Sequence, residues 1–354
     1  MPFWTPTPEQ ISALSSPNWC ASYSGGKDST CLVTWIEWLR RAGLVDVPSP
    51  SLVMSDTGVE DPGLHGISEA MMQLLRSCGW TCVVVEPAIH ERLYNRILGI
   101  GNIPIHPGFR SLRWCSRSTK IDPMNRWRKD HANGLVLTGL RLGESKIRDG
   151  KIKRAGCAAG GECGIPDDDP GRTYSPLLNW STCNVLDWLE GGCSREVSES
   201  IADILPLARQ LVSIYRVQID RNTFDGFDPA VSMARFGCIG CPAIAVGSDA
   251  PKSVVARYGV DSPLCELYSV WEEARRDEGR LWSPRLSKCL GPIKLEVRKV
   301  LFEKVMDIQR RAGVVLIRPE DEEFIRKCWA EKRYPRGWSE ADESVSPPEL
   351  PLFG

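Results

Sequence analysis

No stretch of the 354-residue sequence is apolar over the roughly twenty residues that a membrane-spanning helix needs, which argues against a transmembrane protein. The opening MPFWTPTPEQ lacks the charged-then-apolar order of a secretory signal, so the expected location is the cytoplasm. An excess of one charge is missing too. With 44 Lys and Arg against 45 Asp and Glu the net charge is -1, which excludes a chain that binds nucleic acid through global positive charge; any such contact must come from local patches. Histidine is scarce, at positions 65, 90, 106 and 131 only, so a metal site late in the chain has no nearby imidazole. Internal repeats are absent, which leaves a conventional globular organisation.

What is present is ordinary in bulk, 42% hydrophobic and 25% charged residues, enough for a large core. The 14 cysteines are less ordinary. In a reducing compartment they are not expected to form a disulfide framework; some are read as small buried hydrophobes and a few as ligands of metal or sulfur.

The most informative stretch is Ser22-Tyr23-Ser24-Gly25-Gly26-Lys27-Asp28-Ser29-Thr30. Apolar Trp19, Cys20 and Ala21 lead in, and Leu32, Trp35, Ile36 and Leu39 follow at helical spacing, so a strand, a tight loop and a helix are expected in that order. Gly25 and Gly26 can take positive φ and let backbone approach an anion. Ser24, Ser29, Thr30 and the free N–H groups of the helix start supply donors, and Lys27 adds a mobile charge. Lys27 and Asp28 are expected to project from the loop, so that their loss removes charge rather than core. The spacing fits neither Gly-x-x-x-x-Gly-Lys-Ser/Thr nor Gly-x-Gly-x-x-Gly, which excludes a Walker loop and a dinucleotide fingerprint.

Downstream, Ser51 to Met54, Thr81 to Val85 and Leu135 to Thr138 read as strands, and His65 to Cys78 as a helix between the first two. Alternation of strands and helices predicts an α/β fold, an open mostly parallel sheet with helices on both faces. Ligands on such sheets bind beyond the carboxyl ends of the strands, where Asp56 and the Gly139-Leu140-Arg141 segment fall. Residues 148–174 form a Gly-, Asp- and Pro-rich loop too long for a bare connector. Helices are expected over Ile201 to Tyr215, Leu264 to Arg276, Leu295 to Ala312 and Glu320 to Glu331. The expected organisation is a main domain over 1–195, a helical region over 196–334 and a loose tail over 335–354. The tryptophans at 35, 38, 127, 180, 188, 271 and 329 fall in helical patterns and are read as packing residues.

Taken together, Ser24-Gly25-Gly26-Lys27-Asp28-Ser29, Ser55-Asp56-Thr57-Gly58, the Cys115 to Pro123 loop and Gly139-x-Arg141-x-x-Glu144-Ser145 resemble, in this order, the PAPS reductase branch of the PP-loop ATP pyrophosphatases. Arg113-Trp114-Cys115, Arg235-Phe236-Gly237-Cys238-x-x-Cys241 and Gly291-Pro292-Ile293-x-Leu295-Glu296-x-Arg298 are similar to the DNA phosphorothioation proteins of the DndC and SspD type. The resemblance spans about residues 18 to 312. It implies an enzyme that cleaves ATP to AMP and pyrophosphate, with a cysteine desulfurase as sulfur donor, other phosphorothioation subunits as partners and DNA as substrate. Within it, Lys27, Asp28, Asp56, Lys120 and Arg141 are the implied catalytic residues. Ser24 to Thr30, Asp56, Gly139, Arg141, Glu144 and Arg148 would bind nucleotide, and Asp28 with Asp56 would hold Mg²⁺.

Soft thiolate ligation at Cys238-x-x-Cys241 favours an iron-sulfur cluster or structural zinc. The resemblance implies a 4Fe-4S cluster that Cys115 joins, with Cys163 as the favoured fourth ligand and Cys157 or Cys265 as alternatives. Other readings stay open: a PAPS or APS reductase, whose Glu-Cys-Gly-Leu-His type C-terminal segment has no counterpart around Cys328; a tRNA thiolation enzyme; and, outside enzymes, an ATP-sensing scaffold subunit.

Overall fold

The computed structural model describes residues 1–16, 18–104, 114–131, 134–143, 162–163, 173–222, 238–240, 258–282, 290–343 and 345, with backbone alone at 162–163, 216–222 and 290. The chain forms two compact units interleaved along the sequence. One comprises Met1–Asp56, Asp61–Val85 and Pro123–Phe236, and the other Thr57–Glu60, Glu86–Asp122 and Gly237–Gly354.

Among the described residues the first unit is built on a six-stranded sheet. Its strands are β1 (Trp19–Tyr23), β2 (Ser51–Ser55), β3 (Thr81–Val85), β4 (Leu135–Leu137), β5 (Glu162–Cys163) and β6 (Thr173–Tyr174), in the order β3-β2-β1-β4-β6-β5. All neighbours run parallel except β5, which pairs antiparallel with β6. The predicted open, mostly parallel α/β sheet flanked by helices is therefore observed, with the β5 edge added from a stretch expected to be loop. The order runs outward in one direction through β2 and β3 and in the other through β4, so the topological switch lies between β1 and β4. On an open parallel sheet this is where strand-end loops diverge and leave a crevice.

Local chemistry sets the helices. Helix α1 (Pro8–Leu14) starts on a Thr7–Gln10 capping box with Pro8 in its first turn. Helix α2 (Lys27–Arg41) crosses from β1 towards β2 and is among the most buried elements: Cys31, Leu32, Val33, Trp35, Ile36 and Leu39 are all fully buried. It also buries Glu37, whose carboxylate accepts from Arg40, Arg41 and Trp80 Nε1. Burial would raise this carboxyl, but the donors outweigh it and hold the group below the usual carboxylate range. Helix α3 (Pro62–Ser77) is capped by Asp61, whose carboxylate accepts from Gly63 and Leu64. Trp35 and Trp188 are core residues as expected, and their indole N–H groups donate to the Trp4 carbonyl and Thr34 Oγ1.

The second unit has its own apolar core, centred on Ile97, Leu98, Leu267, Trp271, Leu301, Phe302, Val305 and Ile325. Helices Leu267–Arg275, Leu295–Ala312 and Pro319–Ala330 supply most of it. A two-stranded antiparallel sheet, β7 (Arg280–Trp282) with β8 (Leu290–Ile293), interrupts what periodicity reads as helices alone. The Gly291 to Arg298 motif is structural here. A Cβ on residue 291 would lie 2.2 Å from Trp338, and fully buried Arg298 donates to the carbonyls of Gly99 and Arg333. The tail expected to be loose from Pro335 is tied down as far as residue 343: Asp342 is buried, and the Glu343 carboxylate accepts from Leu295 N–H and the Tyr334 hydroxyl. No described helix is long and apolar enough to cross a membrane.

Candidate functional site

After β1 the chain turns through Ser24, Gly25 and Gly26 into α2. Gly25 has φ +69°, a backbone conformation that favours glycine, and a Cβ there would lie 2.0 Å from Ser68 Oγ of α3 and displace that hydroxyl. Ser29 closes the loop. Its Oγ accepts from Ser24 N–H at 3.1 Å, lies 3.1 Å from Ser24 Oγ and donates to the Gly26 carbonyl at 3.0 Å. Thr30 is fully buried with its hydroxyl 3.5 Å from that of Tyr23; expected among the anion donors, it belongs instead to the core beneath the loop.

Gly26 is the N-cap of α2 and has no side chain to cap the helix, unlike Thr7 of α1 and Asp61 of α3. The Lys27 N–H donates instead to the hydroxyl of Tyr215, 3.3 Å away, on helix Leu205–Asn222. Tyr215 is a neighbour of this loop that sequence reasoning missed: it ends the apolar periodicity beginning at Ile201, and only tertiary packing brings it to the loop.

Charge is organised by Asp28. Its Oδ2 pairs with Lys27 Nζ at 2.6 Å and its Oδ1 with Arg141 Nε at 2.6 Å. Lys27 is 8% exposed and Arg141 2%. Arg141 is fixed further by Nη1, which donates to the Trp180 carbonyl at 3.0 Å, and by contacts to Thr182 Oγ1. One carboxylate thus bridges two buried cations at the first turn of a helix, where the backbone dipole also favours negative charge. Expected as a Mg²⁺ ligand beside Asp56, Asp28 has both oxygens engaged by protein cations in this arrangement.

Gly139 brings Arg141 to that carboxylate. Beyond β4 the chain passes so close to α2 that a Cβ on residue 139 would meet the Asp28 carbonyl oxygen at 2.7 Å and the Ser29 nitrogen at 3.0 Å. Asp56 follows β2, is 6% exposed and donates its N–H to the Val85 carbonyl. Its carboxylate lies within 4.8 Å of the His65 imidazole, a neighbour that the sequence did not single out.

In the second unit Cys115 sits in the helical turn Trp114–Ser116, which leads into a π-helical turn, Arg117–Ile121. Trp114 anchors it, with Nε1 donating to the Ile103 carbonyl and the ring lying under the Arg96 guanidinium at 4.8 Å. The Cys115 carbonyl accepts from Ser118 and Thr119, both buried, while Lys120 is exposed. Cys115, Cys238 and Cys265 are all partly buried against the core of this unit. Burial raises the Cys265 thiol pKa. Glu144, Arg148, Cys157 and Cys241 lie outside the described residues, and Cys163 is described by its backbone alone, paired with Thr173 in the β5–β6 ladder.

No protein-family model and no curated protein matches the chain. Among solved structures it is similar to a phosphoadenylyl-sulfate (PAPS) reductase from Candida auris in a phosphate complex, with 13% identity and a TM-score of 0.37 over 52% of this chain and 79% of that one. It is also similar to the U34-tRNA thiolase NcsA from Methanococcus maripaludis with its [4Fe-4S] cluster, at 11% identity and a TM-score of 0.35, covering 75% of this chain and 74% of that one.

Proposed function

We propose that this protein is an ATP pyrophosphatase of a DNA phosphorothioation system, activating a DNA phosphate by adenylation so that sulfur can replace one of its non-bridging oxygens. The observation that supports this most is the bridging of Lys27 and Arg141 by Asp28 beneath a glycine loop, at the switch point of a parallel sheet. A phosphate oxygen is a poor leaving group. Attack of that oxygen on the α phosphorus of ATP forms a new P–O bond, breaks the bond to pyrophosphate and converts the oxygen into part of a leaving AMP. Gly25, Gly26 and the N–H groups at the start of α2 suit the released pyrophosphate. Lys27 and Arg141, both held by Asp28, would supply the fixed positive charge that offsets charge gathering on the phosphates. Asp56, buried at a strand end with His65 close by, has the hard oxygen donor that Mg²⁺ takes alongside phosphate.

Cys115 and Cys238 border one apolar core, and their thiols suit a soft-ligated iron-sulfur group that they would hold together with Cys241, the second cysteine of the Cys-x-x-Cys motif. Such a group supplies sulfur-handling or electron-transfer chemistry when bound. The assignment to DNA, a cysteine desulfurase and partner subunits rests on the Arg113-Trp114-Cys115 and Arg235 to Cys241 motifs.

Chromatography of the nucleotide products tests the reaction: AMP and pyrophosphate are expected, and ADP with phosphate as the main products would overturn it. Iron analysis of anaerobically purified protein tests the thiols. Cys115→Ser and Cys238→Ser should each lose most of the iron and melt at a lower temperature, because bound metal contributes folding free energy, whereas exposed Cys183→Ser should do neither. Unchanged iron in either of the first two would remove that residue from the site.

A further inference from the structure

The Lys27 N–H is the first helical donor of α2, and its acceptor is the Tyr215 hydroxyl at 3.3 Å. A phosphate oxygen seated at this helix start would call on the same N–H. One amide hydrogen cannot serve both acceptors at full strength, so the two are competitors. Tyr215 is well placed for the role. It is 8% exposed, and its ring packs with Ile67 and Leu211 in a small apolar cluster that belongs to α3 and helix Leu205–Asn222. The same ring lies 5.8 Å from Lys27 Nζ, and the hydroxyl stands 3.4 Å from where a Cβ on Gly26 would be, against the backbone of the glycine loop.

We propose that Tyr215 is a built-in competitor for the phosphate site: its hydroxyl holds the Lys27 N–H until a nucleotide phosphate displaces it. The inference rests on the reading of residues 24–30 as a phosphate cradle. It adds a consequence for regulation, because occupancy of the cradle then acts on the helix that carries Tyr215. A hydroxyl that instead assisted binding, accepting from Lys27 and donating to the phosphate, predicts the opposite response to its removal.

The test uses the full chain, inorganic pyrophosphate as probe, and Tyr215→Phe, which keeps the ring in its apolar cluster and removes only the hydroxyl. Calorimetric titration should give pyrophosphate binding about three- to ten-fold tighter in the variant, the scale of one net hydrogen bond lost by the competing state. Hydrogen exchange at the Lys27 amide, measured without pyrophosphate, should be faster in the variant than in the wild type and should slow in both once pyrophosphate is added. Equal or weaker binding by Tyr215→Phe, with the wild type binding normally, overturns the competitor role and leaves the cradle standing. Failure of both proteins to bind pyrophosphate overturns the cradle itself, and the inference with it.

Discussion

Asp28→Ala is expected to abolish pyrophosphate release from ATP and to lower the melting temperature as well. The second effect separates this structure from what the loop sequence suggests by itself. Side chains projecting from a glycine loop remove only charge when truncated, but Lys27 and Arg141 are 8% and 2% exposed, and Asp28 is the partner they share. Without the carboxylate both buried cations lose this partner, with little water to replace it. Removing one partner of a buried pair costs about 3–5 kcal/mol, and the 21% exposure of the Asp28 side chain places this case near or below about 3 kcal/mol. Asp28→Asn keeps the shape and loses the charge; it should be equally inactive. Lys27→Ala removes one cation and leaves Asp28 paired with Arg141, so its activity should fall as far while its stability falls less. Near-native pyrophosphate release by Asp28→Ala would end the assignment of this loop.

The alternation that identified the sheet is a short-range property, and so β1, β2, β3 and α2 were legible from apolar runs and from the glycine loop between them. Helix Leu295–Ala312 was equally legible from its periodicity. What local pattern could not carry is pairing across the chain. The β5 strand has two residues and exists only through its antiparallel ladder to β6, and β7 with β8 likewise define each other. The interleaving of the two units has the same origin, since residues 57–60 and 86–122 pack with the C-terminal part rather than with their sequence neighbours.

The site divides in the same way. Gly25, Lys27 and Asp28 stand side by side in one loop motif, and the family resemblance singles out Arg141 after β4, so local sequence names all four without showing that Asp28 joins the two cations. Tyr215, Ser68 and Thr182 it does not name, because their part depends on which helix lies against the loop. Thr30 was over-read: a hydroxyl one turn into the helix points beneath the loop, where Tyr23 takes it.

Gly139→Ala should be nearly as damaging to activity as losing Arg141 itself, although residue 139 has no functional group. The added Cβ would sit 2.7 Å from the Asp28 carbonyl oxygen and 2.8 Å from its carbon. Those are backbone atoms of the first turn of α2, so a rotamer change cannot relieve the contact. Either the helix start or the strand-end loop must shift by several tenths of an ångström, and both carry one side of the 2.6 Å Arg141–Asp28 pair. Overpacking of this kind costs about 1–3 kcal/mol. Gly26→Ala is the control, because its Cβ meets nothing closer than 3.4 Å and its φ of -82° suits any residue. Its stability should stay near that of the wild type. Pyrophosphate release and melting temperature, measured for Gly139→Ala, Arg141→Ala and the double variant, decide how the glycine acts. If it works by delivering Arg141, the double variant loses no more activity than Arg141→Ala alone, while the thermal loss from the clash persists. Additive losses of activity would mean that Gly139 shapes the loop independently of the arginine.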